Sequence, residues 1–284
     1  MDDVRIVHQP SVYLLGTTAV RDEELAKFLA DHEVSDWQTD TEVGAEKLVE
    51  VAGRVCYMSF AKPRPGGNAA YVNHILDVGH GSVIEHATFS LLFAGVSRSL
   101  THELVRHRAG LGFSQLSQRY VDESAAEYVE PEAIKTDPEA HALWLTAMRQ
   151  SHQAYLRLTE VLARKFSESC PACARQSPSC PACGGTGYAC GLKDATDRRK
   201  AARSAARSVL PNATETKIVV TGNARAWRHI LEMRGSRHAE AEIRQLAFAV
   251  HAVLVKASPN LFGDFETREY APNRFELVTS HHKV

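Results

Sequence analysis

Apolar positions along this chain fall into stretches whose period changes from element to element. Ser11 to Leu15 reads as a short apolar strand, and Arg21 to His32 as a polar helix with Leu25, Phe28 and Leu29 on one side. From Thr41 to Tyr57 the residues Leu48, Val51, Ala52 and Val55 stand at helical spacing, with Cys56 expected as a small buried hydrophobe on the same helix. Lys62-Pro63-Arg64-Pro65-Gly66-Gly67 breaks the pattern as a loop. Ala69 to Val78 then resumes it as a helix with Tyr71, Ile75 and Val78 inward. Thr88 to Val96 reads as a buried strand and Ser97 to Arg108 as a helix.

The second half opens on Asp137-Pro138-Glu139, a helix start with Asp137 as cap and Pro138 in the first turn. Trp144, Met148, Ser151, Tyr155, Leu158 and Leu162 follow in steps of four and three, an amphipathic stripe read as core or subunit contact. Asp197 to Leu210 is a basic helix with Arg199, Arg203 and Arg207 four apart. Lys217 to Thr221 is a β-branched strand, and Asn223 caps a helix running to Arg234. His238 to Ala257 is a further helix, with Ile243, Leu246, Ala247, Val250 and Val253 on one stripe, and the chain beyond Asn260 reads as an aromatic, loop-like tail. With no internal repeat and no flexible linker outside residues 168–192, one domain over 1–284 is the simplest division.

A chain of 284 residues, 44% hydrophobic and 24% charged, can bury a sizeable core. A net charge of -1 counts against a general nucleic-acid or membrane-binding surface, because such surfaces need a strong basic excess; any phosphate site must be local. Met1-Asp2-Asp3-Val4-Arg5 lacks the basic start and apolar run of a signal segment, and no stretch approaches the ~20 apolar residues of a membrane span, so a cytoplasmic protein is expected. Asn212-Ala213-Thr214 has the form of a glycosylation acceptor without the secretory context. Five of the six cysteines lie between 170 and 190, which in a reducing compartment suits a metal better than disulfides.

The chemistry gathers in Arg106-His107-Arg108-Ala109-Gly110-Leu111-Gly112-Phe113-Ser114-Gln115-Leu116-Ser117-Gln118-Arg119-Tyr120. Such a stretch is poor core material. Arginine forks match phosphate or a pyrimidine edge, and the two glycines allow backbone to approach a flat or anionic ligand. On the preceding helix Glu103 stands three and four residues before Arg106 and His107, placed to hold both, while Arg98, His102 and Arg106 form a second row. A solvated face with weak salt bridges is the plainer reading of these charges. The glycine loop and the continuing polar cluster favour a preorganised site.

This stretch resembles the signature of the flavin-dependent thymidylate synthases. The resemblance extends to His80-Gly81-Ser82-Val83-Ile84-Glu85-His86, to Arg207-Ser208-Val209-Leu210-Pro211 and from Asn223-Ala224-Arg225 to Arg234, and so spans most of the chain. The spacer between Arg108 and Ser117 is one residue longer than the family usually has. The resemblance implies an α+β subunit with helices on an antiparallel sheet, forming a homotetramer. It implies methylation of a uracil nucleotide, dUMP to dTMP, with FAD as cofactor, NADPH as reductant and methylene-tetrahydrofolate as carbon donor. By the same resemblance Ser82, Arg106, His107, Arg108, Gln115, Asn223, Ala224, Arg225 and His229 hold FAD. Glu103, Arg106, Gln115, Ser117, Gln118, Arg119, Arg207 and Arg234 hold the nucleotide, and Arg234 is the catalytic residue that polarises the uracil. Spacing by itself does not separate Arg234 from Arg228.

Cys170-Pro171-Ala172-Cys173 and Cys180-Pro181-Ala182-Cys183 form an insertion the usual family pattern lacks. Two Cys-x-x-Cys pairs can offer four thiolates to one tetrahedral ion, so a structural zinc site is expected, with Cys190 able to replace one of the four. A redox-labile loop, disulfides or a docking arm are the competing readings. Two other functions stay open: a homologue that methylates UMP for nucleoside-antibiotic biosynthesis, and a zinc-bearing nucleic-acid binder built on the basic helix.

Overall fold

The structure, a computed structural model, describes residues 4–62 and 64–282; the first three residues, on which the expected absence of a signal segment partly rests, and Pro63 of the breaker loop lie outside them. The chain forms two compact units. Among the described residues the first comprises 4–8, 97–99 and 115–216, and the second 9–62, 64–96, 100–114 and 217–282. Its strands are β1 (Arg5–Val7), β2 (Ser11–Thr17), β3 (Thr88–Ser97), β4 (Leu111–Gln115), β5 (Glu127–Val129), β6 (Glu215–Asn223), β7 (Glu266–Ala271) and β8 (Arg274–Val278).

The second unit is built on a four-stranded sheet of order β2-β3-β6-β4, with β2 and β3 antiparallel in a register that shifts between Leu14 and Gly16. Alternation on β3 buries Phe89, Leu91 and Phe93 completely. Trp227, Ile230 and Leu231 of the helix Ala224–Gly235 share their core, with Ile243, Leu246, Ala247, Val250 and Leu254 of the helix Ala241–Ala257. Trp227 stands edge-on to Phe93 and donates its indole N–H to the Phe89 carbonyl at 3.2 Å, so its one polar atom is satisfied on burial. The mixed helix-and-sheet architecture with antiparallel pairing is the expected fold class.

In the first unit β1 pairs in parallel with β5. The long helix Pro138–Phe166 starts where expected, Asp137 accepting the backbone N–H groups of Glu139 and Ala140. Its inward residues are Met148, His152 and Tyr155. Tyr128 and His152 share a buried hydrogen bond of 3.0 Å, and the Tyr155 hydroxyl accepts from the Glu123 N–H. The basic helix runs Ala195–Ala206, capped by Asp194, and continues only as a single 3-10 turn, Arg207–Val209.

Five expectations need correction. The helix Gly44–Val55 turns Ala45 and Val49 inward together with Glu46, Glu50 and Arg54, while Val55 is exposed. Its carboxylates can be buried because they are bonded: Glu46 accepts from Ser258 and Asn260, and Glu50 accepts from Arg54 and Asn68. A rule that puts only apolar residues inside misses that face. Cys56, expected buried, is exposed at the end of the same helix, and Val78 is likewise exposed. The helix after β3 stops at Leu104, short of Arg108, and the expected tail contains the antiparallel hairpin β7–β8.

Candidate active site

The early end of the helix Arg98–Leu104 changes what Glu103 does. His107 and Arg106 follow on tight turns, their N–H groups returning to the carbonyls of Leu104 and Glu103. Glu103 is therefore not the brace for Arg106 and His107 that helical spacing implied. In the second unit its carboxylate instead accepts from Nη1 of Arg234 at 2.9 Å, and Arg234 Nε donates to Nε2 of His107 at 2.8 Å. The His107 and His229 rings meet edge to face, centroids 5.7 Å apart. Partial burial first, then the positive charge of Arg234, then His229 hold the His107 pKa down to about 4. A neutral His107 can accept at Nε2, which puts its own proton on Nδ1. The guanidinium of Arg234 is thus fixed from two sides.

Arg228 lies on the same helix and has a different job. It is 2% exposed, donates to the Leu261 carbonyl and forks onto both oxygens of Asp264 at 2.6 and 2.7 Å. The ion pair and hydrogen bonds hold the Asp264 carboxyl below the usual carboxylate range, against burial, which pushes the other way. Arg228 is structural, so the structure separates the two arginines that spacing left equivalent.

Elsewhere the second unit exposes several polar and cationic side chains of the predicted set. A Cβ on Gly81 would meet Arg225 Nε at 2.7 Å, so the arginine crosses this turn in space that glycine leaves open. Arg225 pairs with Glu85 at 2.7 Å, a partner to which the sequence assigned no role. Ser82, Arg106, Arg108 and His229 are exposed. Gly110, at φ +70°, carries the turn before β4; its carbonyl accepts the Asn223 N–H, and an added Cβ would meet the Asn223 amide at 2.8 Å. Asn223 accepts from the Ala226 N–H as helix cap. Ala224 is fully buried with its N–H given to Ala87, so it presents no surface of its own. Serine hydroxyl, exposed guanidinium groups and a glycine cradle fit a flavin dinucleotide's pyrophosphate and ring.

The first unit holds the remaining predicted residues. Gln115 donates weakly to the Thr216 hydroxyl at 3.4 Å, and Ser117 accepts the Arg119 N–H. Gln118 is 7% exposed, and among the described residues its buried amide nitrogen has no hydrogen-bond partner. Arg98 donates to the Leu116 carbonyl at 2.8 Å and so braces this loop from beneath. Its place in the row with His102 and Arg106 was the available signal, though not for this use. Arg119 and Arg207 are exposed, and Arg203 donates to the Tyr120 carbonyl and to Asp122.

The cysteines also converge within the first unit. The sulfurs of Cys170, Cys173, Cys180 and Cys183 all lie within 4.8 Å of one another. Cys190 stands apart, its thiol given to the Phe166 carbonyl at 3.2 Å, so it replaces none of the four.

The family model for thymidylate synthase complementing proteins matches residues 39–260. A flavin-dependent thymidylate synthase of Mycolicibacterium gilvum is 49% identical over 247 residues, covering 86% of this chain and 88% of that protein. One of Mycobacterium marinum is 44% identical over 268 residues, covering 93% and 96%. Among solved structures, the UMP/dUMP methylase PolB of Streptomyces cacaoi bound with 5-Br dUMP aligns over 92% of this chain and 96% of that one. Its TM-score is 0.59 at 18% identity, a likeness of fold.

Proposed function

The chain belongs to the family of thymidylate synthase complementing proteins, and from that premise we propose that it methylates carbon 5 of dUMP to give dTMP, as a flavin-dependent enzyme. The observation that carries the reading is the Arg234 cluster: one guanidinium, held by Glu103 and a neutral His107, on the helix that begins at Asn223.

Carbon 5 of uracil becomes nucleophilic only when the ring can carry negative charge. A fixed guanidinium offers such charge a partner without reorganising as the reaction proceeds. Glu103 keeps the fork in place, and His107 adds no second positive charge that would push Arg234 away. Arg225, Arg106, Arg108 and Ser82 would hold FAD in the second unit, with His107, Asn223 and His229 beside them. When bound, the reduced flavin supplies the hydride that completes the methyl group. NADPH as its reductant and methylene-tetrahydrofolate as carbon donor complete the reading. Ser117, Gln118, Arg119 and Arg207 would take the nucleotide's sugar and phosphate, and the unpartnered amide of Gln118 supports that use.

The thymidylate synthases at 49% and 44% identity favour dUMP over UMP. The homotetramer that the family resemblance implies is part of the same reading; Tyr13 and Leu15 on β2 are exposed apolar surface that a contact between subunits would cover. Among the described residues no helix is long and apolar enough to cross a membrane; a reducing cytoplasm would keep the six cysteines out of disulfides. The test is the visible spectrum of the purified protein followed by turnover of dUMP and UMP with NADPH and methylene-tetrahydrofolate. A flavin spectrum with dTMP as the main product is expected. A colourless protein that takes up no FAD and forms no product would remove the reading, and preferential methylation of UMP would replace its substrate.

A further inference from the structure

The cysteine insertion has no place in methylation. Residues 167–194 join the helices Pro138–Phe166 and Ala195–Ala206, and among the described residues their buried cluster consists of cysteines alone: Cys170, Cys180 and Cys183, with Cys173 against them. So small a module buries too little apolar surface to order itself, and modules of this size are ordinarily held by disulfides or a metal.

The sulfurs already stand where a metal would hold them. Cys170 and Cys180 are 3.9 Å apart, Cys173 and Cys183 3.7 Å. Tetrahedral bonds of about 2.3 Å from zinc to sulfur place ligand sulfurs about 3.8 Å from one another. The backbone repeats the same turn twice. After Cys173 come Ala174 and Arg175 at φ +45° and +67°, and after Cys183 come Gly184 and Gly185 at +60° and +75°. In the first turn these are residues with a Cβ, for which left-handed backbone costs about 1–2 kcal/mol each. Strain of that kind persists where something else dictates the turn. The Gly187 N–H also donates to Cys183 Sγ at 3.3 Å, which favours a thiolate.

We propose that Cys170, Cys173, Cys180 and Cys183 bind one zinc ion as four thiolates, releasing their protons, and that the ion clamps the two helix ends together. Four soft sulfur donors at tetrahedral spacing select zinc over ferrous iron by ordinary affinity order. The clamp has a visible route outward. Cys190 bonds the last carbonyl of the helix Pro138–Phe166, and Arg175 donates to the Ser167 carbonyl. Arg175 and Arg198 both lie over the Tyr188 ring, 4.4 and 3.7 Å from its centroid, which ties the knuckle to the start of the helix Ala195–Ala206. Arg203, further along that helix, holds Tyr120 and Asp122, the residues that follow Ser117, Gln118 and Arg119. The zinc is a positioning element for that loop.

Metal analysis of the full-length protein, purified without chelator, tests this independently of any methylation. One zinc per chain is expected, falling to background in Cys170→Ser and Cys183→Ser and unchanged in Cys56→Ser and Cys190→Ser. Should the first two variants fail to fold, titrating the unaltered protein with an organomercurial gives the same answer: one zinc is released as four thiols react. Hydrogen exchange after that release should speed up across residues 195–206 and 117–122. Iron in place of zinc, a mass lowered by two hydrogens per disulfide with no metal, or zinc retained in Cys183→Ser would each overturn the site. Unchanged exchange after zinc release would overturn the clamp.

Discussion

The cysteine knuckle and the Arg234 cluster both bring polar side chains to a point, by opposite means. Ten residues separate Cys170 from Cys180 and Cys173 from Cys183, so two copies of one turn are enough to build the first. Arg234 is 127 residues from His107 and 131 from Glu103. Those three meet only after helices and sheet have packed, so their geometry is a property of the whole core of the second unit. A local site can be inserted into a fold without redesigning it. A long-range site constrains every element that carries a piece of it.

Arg228 offers the hardest way to break the comparison. Arg228→Ala should cost about 3–5 kcal/mol of stability, because it strands the Asp264 carboxylate in a partly buried place without its partner. Urea unfolding measures it, and a loss under 1 kcal/mol would mean that the second unit does not depend on this pair. Arg234→Ala, two turns along the same helix, should do the reverse: turnover falls roughly 10²–10³-fold, the cost of losing one preorganised donor, while bound flavin and the urea midpoint stay near the parent's. Normal turnover would take Arg234 out of its role.

A smaller effect is expected at the turn before β4. Gly110→Ala puts a side chain at φ +70° and against the Asn223 amide, so a loss of about 1–2 kcal/mol should appear in the same unfolding assay. An equally stable variant would show that the turn can relax without disturbing Asn223.

The smallest effect is in pH dependence. His107 has a folded-state pKa of about 4, below the ordinary histidine value near 6.5, so between these values the unfolded chain binds more protons than the folded one. Stability should therefore rise with pH across that window and decline as pH falls toward 4. His107→Asn should flatten that slope, and the parent's His107 ring signals should titrate near 4 by NMR. A midpoint above 6.5 would mean that His107 is charged and cannot accept from Arg234. Loss of the knuckle by Cys183→Ser should leave this titration where it is.

Much of the scaffold was legible from pattern. Asp137 and Asn223 cap the helices they were expected to cap, and Phe89, Leu91 and Phe93 alternate into the core. The failures have two causes. Burial of Glu46, Glu50 and Arg54 depends on partners as distant as Ser258 and Asn260, which no window of neighbouring residues contains. The hairpin β7–β8 was missed because Glu, Arg and Tyr on its strands lack a clean apolar alternation, although Leu277 and the Arg268-bonded Glu276 are buried.

By itself, the amino-acid sequence determined most of the helices and the central strands, the caps and glycine turns, the residue types at each motif, and the four cysteines of the knuckle. All are set by neighbours within about one turn of helix or one tight loop, where chain geometry alone fixes who meets whom. Only the tertiary structure decided that Arg234 is held by Glu103 and His107 while Arg228 is buried on Asp264, that Glu103 belongs to Arg234 rather than to Arg106, and that Cys190 stands outside the knuckle. Each of those choices depends on where packing and hydrogen bonding carry a side chain, and spacing along the chain cannot encode that.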